Sequence, residues 1–320
     1  MAASDRKNIY RRVGFTENPF GVTADPRFHY LSSQHRVVLD NLQAIVDDHQ
    51  GLAVVEGAIG VGKSMLARRL FVLYQREPDA YKVLYLHTAA YRTAFEALSD
   101  IAERFGVNMP KGLRSARAKR KEFERWLLEQ ARNKITVVLI IDDAQMMAPD
   151  VLDVFHFLYN YDWQEKLIQT VLFGQTEIRD LFDAKKALRS RVVAWETLLP
   201  MEDFDALNMI NYRCQVAGRA RSIMESSAWT KVYAASGNGN PRTLVLICQE
   251  VVKHMARAGL DIADDALAMA AIAHYQQRPG EAPDGSRQLS LEDAMPAPID
   301  EASPARNGHA PRRRTQRKKV

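Results

Sequence analysis

Two cysteines among 320 residues, Cys214 and Cys248, stand far apart with no CxxC pair and no Cys/His spacing around them. Neither a disulfide framework nor a zinc ribbon therefore organises this chain. Nowhere do about 18 apolar residues run uninterrupted, and the opening MAASDRKNIYRRVGF has no apolar stretch behind its charges. The expectation is a protein of the reducing cytoplasm, with no membrane partner. Acid is missing from one place in particular. The last nine residues, RRRTQRKKV, carry six of the 44 basic residues and no Asp or Glu; the remaining 38 Lys and Arg face 39 acids. The net charge of +5 is thus a property of the tail, and any nucleic-acid argument must rest on a local patch. A hydrophobic share of 47% is ordinary for a chain that buries a core, and the length allows one large or two modest domains.

Residues 14–30, GFTENPFGVTADPRFHY, mix aromatics with Pro and Gly and read as an irregular arm. SSQHRVVLDNLQAIVDDH follows, a Ser cap and then Val38, Leu39, Leu42 and Ile45 at helical spacing. Short apolar runs then alternate with helical patterns. LAVVE precedes MLARRLFVLY, KVLYLHT precedes FEALSDIAERFG, ITVVLIID precedes DVLDVFHFLYNY, and LIQTVLFGQ comes last. Such alternation predicts an α/β fold, a parallel sheet covered by helices on both faces. From about Met201 the strand-like runs stop, and DFDALNMINYRCQVAG, ESSAWTKVYAASG, PRTLVLICQEVVKHMARAG and DDALAMAAIAHYQQ all read as helices. The predicted organisation is an arm and first helix over 1–46, an α/β core over 47–200, a small helical lid over 201–277 and a flexible basic tail over 278–320.

GAIGVGKS, Gly57 to Ser64, satisfies every fixed position of GxxxxGK[ST] between a strand and a helix. Along Gly57, Ala58, Ile59, Gly60, Val61 and Gly62 such a loop turns backbone N–H groups toward phosphate oxygens. Lys63 reaches the β- and γ-phosphates, the Ser64 hydroxyl ligates Mg²⁺, and Met65 continues the loop into the helix. In VVLIIDDAQ, Asp142 at a buried strand end suits the metal and Asp143 the attacking water. Asp143 reads alternatively as a helix N-cap before AQMM. Phosphoryl transfer also needs cations and a polar sensor near the γ-phosphate. Gln175 of FGQTE suits the sensor, Arg189 and Arg191 of LRSRVV suit fingers reaching a neighbouring subunit's ATP, and Arg242 of GNGNPRTL starts a helix that reports the nucleotide. Each arginine by itself also reads as a surface residue.

Together, the P-loop, IIDDAQ, a GQ after the next strand, an RV segment and GNPR in a helical lid resemble AAA+ ATPases. More narrowly, GFTENPF, ADPRFHYLSSQH, VLFGQTEIRDLF and ASGNGNPRTL are similar to the ExeA/GspA branch, whose relatives include TnsC-like, TniB-like and MuB-like transposition ATPases. The similarity covers residues 12–275. It implies the AAA+ P-loop NTPase fold, ATP and Mg²⁺, and assembly with further copies of itself into rings or helical filaments. It further implies phosphate and metal binding by Lys63 and Ser64, a Walker B acid at Asp142, sensor 1 at Gln175, sensor 2 at Arg242 and a finger at Arg189 or Arg191. Asp143 stands where the family usually carries Glu.

The segment KGLRSARAKRKEFER holds seven Lys or Arg against two Glu. As a helix it sets Arg114, Arg117 and Lys121 on one face, opposite Phe123, Trp126 and Leu127. With Lys119 and Arg120 beside them, such a face suits tracking of DNA phosphates without base readout, or else is a solvated helix face. In TAAYRT, Tyr91 and Arg92 are pore-loop candidates, and Tyr91 reads equally as a core residue. ExeA proteins continue into a membrane helix and a peptidoglycan-binding region, whereas this sequence runs into a basic tail. On that ground the resemblance implies an ATPase that oligomerises on double-stranded DNA and links it, with a target-selection protein, to a transposase. A secretion or pilus-assembly ATPase and a nucleotide-gated scaffold are the alternatives. The Asp143 carboxylate stands one methylene, about 1.5 Å, short of a Glu. Asp143→Glu is therefore predicted from sequence to speed turnover, and a rate no higher than wild type would mean a site built around Asp.

Overall fold

The computed structural model describes residues 9–21, 25–110, 112, 115–159 and 165–277. Strands β1 (Leu52–Gly57), β2 (Tyr81–Leu86), β3 (Thr136–Ile141), β4 (Ile168–Gly174) and β5 (Val192–Leu198) form one parallel sheet in the order β2-β3-β4-β1-β5. β1 and β4, at its centre, are buried along their whole length, which is why they read as unbroken apolar runs. Inside those runs the period of two persists. Val54, Leu139 and Leu172 join the core on one face, while Val55, Ile140 and Phe173 join the core on the other. β5 was not foreseen. It is an edge strand, VVAWETL, only partly buried and with a register shift where it meets Leu52 and Ala53, so no continuous apolar run marks it.

One face of the sheet is covered by α1 (Ser33–Asp47) and α2 (Lys63–Gln75), which contribute Val38, Leu42, Leu66 and Leu70. Ser32 caps α1 by accepting from the His35 N–H, as the sequence pattern predicted. The other face carries α3 (Ala94–Arg104), α4 (Ala116–Arg132) and α5 (Leu152–Tyr159), through Leu98, Ile101, Phe123, Leu127 and Phe155. Two short helices, α6 (Ile178–Asp183) and α7 (Lys186–Arg189), lead from β4 to β5.

Past β5 the chain is helical: α8 (Asp203–Val216), α9 (Ser226–Ala235), α10 (Pro241–Ala258) and α11 (Asp265–Gln276) enclose their own core. The N-terminal arm belongs to that core. Val13, Phe15, Phe20 and Phe28 are buried in it, and Arg213 of α8 donates to the carbonyls of Pro19, Gly21 and Phe28 at 2.9, 2.9 and 3.2 Å. Arg219, itself buried, donates to Val13 O at 2.6 Å and pairs with Asp261. The described residues of the stretch 1–46 thus divide between two cores, the arm with the helices after β5 and α1 with the sheet. Among the described residues no helix is long and apolar enough to cross a membrane. The basic tail, 278–320, and Arg114 lie outside the described residues.

Fully burying a large aromatic makes its truncation expensive. Phe20→Ala should lower the unfolding free energy by about 3–5 kcal/mol, and Val37→Ala, at an exposed position, by less than about 0.5 kcal/mol. Urea denaturation followed by circular dichroism measures both.

Candidate nucleotide site

Gly57 ends β1, and Asp142 and Gln175 follow the carboxyl ends of β3 and β4; those strands lie side by side in the order β3-β4-β1. That edge is where ligands bind in open parallel sheets. The loop after β1 is shaped by glycines: Gly60 and Gly62 have φ of 85° and 107°, where a side chain would be strained. A Cβ on Gly60 would lie 2.6 Å from Asn240 Oδ1, and one on Gly62 2.6 Å from His35 Nε2.

Every carbonyl of the loop is held. Lys63 Nζ donates to Gly57 O and Ala58 O at 2.8 and 2.9 Å, and Asn240 Nδ2 donates to Ile59 O at 2.8 Å. The Arg242 N–H donates to Gly60 O at 3.3 Å, His35 Nε2 bonds Val61 O at 3.0 Å, and the Leu66 N–H closes the first turn of α2 on Gly62 O at 3.0 Å. A carbonyl only accepts, so the proton of His35 is on Nε2, leaving Nδ1 to accept from Ser32 Oγ at 2.6 Å. Burial lowers the His35 pKa and favours this neutral form. Lys63 is buried as well; desolvation lowers its pKa, while Asp142, Asp143 and Glu177 oppose that shift. A glycine loop of this kind, with a lysine ammonium against its first two carbonyls, fits the phosphates of a nucleotide.

Asp142 is almost completely buried. Burial raises its pKa first of all; a hydrogen bond from Ser64 opposes the shift, and the charge of Asp143 adds to it. Tyr85 donates to Asp142 Oδ2 at 3.2 Å and the Asp143 N–H donates to Oδ1 at 3.0 Å. A buried carboxylate touching the Ser64 hydroxyl is a donor pair for a hard divalent cation such as Mg²⁺. Asp143 differs. It adopts left-handed φ and ψ of 48° and 40° and makes no side-chain cap bond to the 3-10 turn Ala144–Met146, so the N-cap alternative finds no support in the geometry. Its Oδ1 accepts instead from Gln145 Nε2 at 3.1 Å, and Gln145 Oε1 accepts from the Gln175 N–H at 3.0 Å. One amide thus ties the second aspartate to the end of β4.

Arg242 stands at the first turn of α10, beside the loop. Arg189 and Arg191 do not approach this chain's own P-loop: they precede β5, whose Val192 pairs with Leu52 and whose Leu198 pairs with Gly57, a strand length of about 20 Å away. Arg189 pairs with Asp183 and lies 5.4 Å from the Trp195 ring. On α4, Arg117 and Lys121 are exposed, one turn apart. Lys119 and Arg120 turn inward. Lys119 Nζ bonds Ser99 Oγ at 2.6 Å and lies 3.9 Å from the Phe95 ring, and Arg120 lies 3.8 Å from the Phe157 ring. Their charges are spent against α3 and α5, so they do not join the open basic face. Arg92 is exposed, whereas Tyr91 packs against the core and bonds Asp100.

Sequence reasoning missed His35, Gln145, Asn240 and the fully buried Glu56, which precedes the P-loop and takes a two-pronged bond from Arg179 and 2.9 Å from Thr197 Oγ1. Asn240 lay inside the quoted GNGNPR, and Gln145 inside IIDDAQ. His35 and Glu56 join partners 26 to 141 residues away, a separation that no local pattern encodes.

Residues 46–182 match the AAA domain family model. The chain is similar to General secretion pathway protein A of Aeromonas hydrophila, with 29% identity over 262 residues covering 81% of this chain and 47% of that protein. It is also similar to a putative ORC1-type DNA replication protein 1 of Thermoplasma acidophilum, with 28% identity over 231 residues covering 71% and 58%. The chain therefore spans about half the length of the curated relatives it matches. Among solved structures, the Aeropyrum pernix ORC2 protein in ADPNP and ADP complexes aligns with TM-score 0.57 at 14% identity over 82% of this chain and 74% of that one. Drosophila ORC bound to DNA aligns with TM-score 0.56 at 16% identity over 86% and 67%. An AAA-type domain on the AAA+ P-loop NTPase fold, followed by a helical C-terminal region, accounts for these likenesses.

If the Gln145 amide sets the position of Asp143, any nucleotide hydrolysis at this site should fall about 10- to 100-fold in Gln145→Ala, with little change in nucleotide affinity. Steady-state hydrolysis, compared with direct nucleotide titration, separates the two.

Proposed function

We propose that this chain is an ATP-hydrolysing, nucleotide-switched assembly factor that oligomerises on double-stranded DNA as a ring or helical filament. In this reading it links a target site, chosen with a target-selection protein, to a transposase. One observation supports the switch: α10 holds the P-loop through Asn240 on Ile59 O and the Arg242 N–H on Gly60 O, so a change in the loop is felt at the start of α10. Bound ATP with Mg²⁺ supplies the phosphoanhydride that water cleaves and the metal charge that draws its electrons. The backbone N–H groups of residues 57–65 and Lys63 bind the phosphates, and Ser64 and Asp142 hold the cation. Asp143 accepts a proton-side hydrogen bond from the attacking water and aims it, with its own carboxylate aimed by Gln145. Gln175, at the end of β4, is the polar sensor, and Arg242 carries the state of the site into α10. Arg189 or Arg191, remote from this chain's own loop, serves a neighbouring copy.

The DNA part rests on the exposed pair Arg117 and Lys121, with Arg92 as a further contact, and on likeness to proteins whose names include DNA replication and a DNA-bound complex. Contacts of this kind track phosphates and carry no sequence information. A second reading, an ATPase of a secretion pathway that does not engage DNA, is favoured by the similarity to General secretion pathway protein A over 81% of the chain.

Binding to random-sequence duplex, measured with ATP, with ADP and without nucleotide over a salt series, separates the readings. ATP-dependent binding is expected, and Arg117→Glu with Lys121→Glu should reduce the log–log salt slope by about two while ATP binding stays intact. Binding that is absent or indifferent to nucleotide would leave the secretion reading standing. Lys63→Ala should abolish nucleotide binding and, with it, ATP-dependent oligomers by light scattering. The position of Gln145 also revises the expectation for Asp143→Glu: a longer carboxylate overruns a bond already made at 3.1 Å, so single-turnover hydrolysis should be no faster than wild type.

A further inference from the structure

Between α10 and α11, one donor atom each from Glu250, His254 and His274 lie within 4.8 Å of one another. Glu250 and His254 are four residues apart on α10 and so share a face, and His274 comes from α11 beside it. Glu250 is fully buried, an ionisable group set into the core that α10 and α11 share. Its Oε1 accepts from Lys253 Nζ at 2.8 Å, and its Oε2 faces His274 Nδ1 at 2.8 Å. The Nε2 of His254 is buried and has no hydrogen-bond partner among the described residues. A buried polar atom left so costs about 1–3 kcal/mol.

None of these groups serves the nucleotide site. Glu250 and His254 follow Arg242 on α10 by 8 and 12 residues, about 12–18 Å along a helix that rises 1.5 Å per residue. A hydrogen-bond network accounts for Glu250 and His274 but leaves His254 with an edge-on ring contact to His274, centroids 5.8 Å apart, and an Nε2 that bonds nothing among the described residues. A coordinated cation gives all three donors a partner. Two imidazoles and one carboxylate suit a borderline divalent metal of the Zn²⁺ class, whereas Mg²⁺ and Ca²⁺ take oxygen donors. Metal–ligand distances of about 2.0–2.2 Å require donors roughly 3.5 Å apart. His274, whose side chain is half exposed, has the freedom to close the remaining gap.

We propose that Glu250, His254 and His274 form a Zn²⁺-class site that pins α11 to the C-terminal half of α10. The metal replaces the contact between Oε2 and His274, and Lys253 keeps Oε1 and orients the carboxylate. Three protein ligands leave a fourth position open to water or to a group from outside the bundle. Metal binding then stiffens the end of α10 opposite the one that grips the P-loop.

The test uses the full chain, stripped with a chelator and free of nucleotide, titrated with Zn²⁺, Co²⁺ and Mg²⁺ separately. One Zn²⁺ per chain against a chromophoric chelator, a raised Tm with Zn²⁺ and none with Mg²⁺, and a visible Co²⁺ spectrum are expected. His274→Gln and His254→Gln should each weaken Zn²⁺ binding by at least the roughly 10- to 100-fold that losing a ligand's supporting partner costs. Ser64→Ala should keep the Zn²⁺ site, which separates it from the nucleotide site. Wild-type protein with no saturable Zn²⁺ binding, or folded His274→Gln and His254→Gln that bind as wild type does, would overturn the proposal. Should both variants fail to fold by circular dichroism, the wild-type Co²⁺ spectrum decides, and an aquo-ion spectrum counts against the site.

Discussion

Six consecutive carbonyl oxygens, Gly57 to Gly62, each accept a hydrogen bond, and the rest of the nucleotide site depends on that arrangement. A glycine loop has few side chains with which to hold itself. Ordering a residue costs about 1–2 kcal/mol of entropy, and a net hydrogen bond returns about 0.5–1.5 kcal/mol, so a loop with half the tethers would not keep one shape. With the carbonyls taken by protein donors, the N–H groups of the loop are left for an anion. The tethers are not equivalent. Those from Lys63 come from a flexible ammonium with a choice of partners, whereas those from His35 and Asn240 come from side chains fixed at both ends, His35 by Ser32 and Asn240 by the Thr243 N–H at 3.2 Å.

The two acidic residues after β3 are neighbours in sequence and opposites in environment. Asp142 extends the strand, its N–H still bonded to Leu86 O at 2.8 Å, and its burial works against ionisation except where Ser64, Tyr85 and the Asp143 N–H stabilise the charge. Asp143 leaves the strand in a left-handed turn that short polar side chains tolerate and β-branched ones do not. That turn points its carboxylate along the sheet edge toward β4, where the Gln145 amide bridges to Gln175. A Glu with the same backbone would need Gln145 to move. The shorter acid and the glutamine two residues later are parts of one geometry.

Strands were legible wherever an apolar run survives. β1, β3 and β4 are such runs because strands buried on both faces must be apolar throughout. β2, an edge strand only partly buried, was still read from KVLYLHT. β5 was not, since Glu196 and Thr197 break its run. The P-loop and Asp142 announce themselves through spacing, while their supports do not: His35 and Glu56 are ordinary letters until the fold brings Val61 and Arg179 to them. The arm misled for a related reason. GFTENPF lacks periodicity because it is not a helix or strand, yet Phe15 and Phe20 are among the most deeply buried aromatics in the molecule. The basic helix was legible in its period and half legible in its charges, because Lys119 and Arg120 found aromatic rings on neighbouring helices that the sequence had no means of placing.

These contacts make the helical region a body fastened to the nucleotide loop at one point. Gly239, at φ 101°, brings the backbone before α10 so close to Met201 that a Cβ there would lie 1.9 Å from Met201 O. The Met201 N–H bonds Gly239 O at 2.9 Å, and Tyr233 donates to Met201 O at 3.1 Å. The chain leaving β5 is thereby locked onto the same corner of the bundle that presents Asn240 and Arg242 to the loop. The arm is fastened to it by Arg213 and Arg219. Two hydrogen bonds at the loop are worth about 1–3 kcal/mol together, a factor of roughly 5 to 150 in any equilibrium that breaks them. A ligand that displaces the carbonyls of residues 59–60 therefore acts on the start of α10 with an energy of that order.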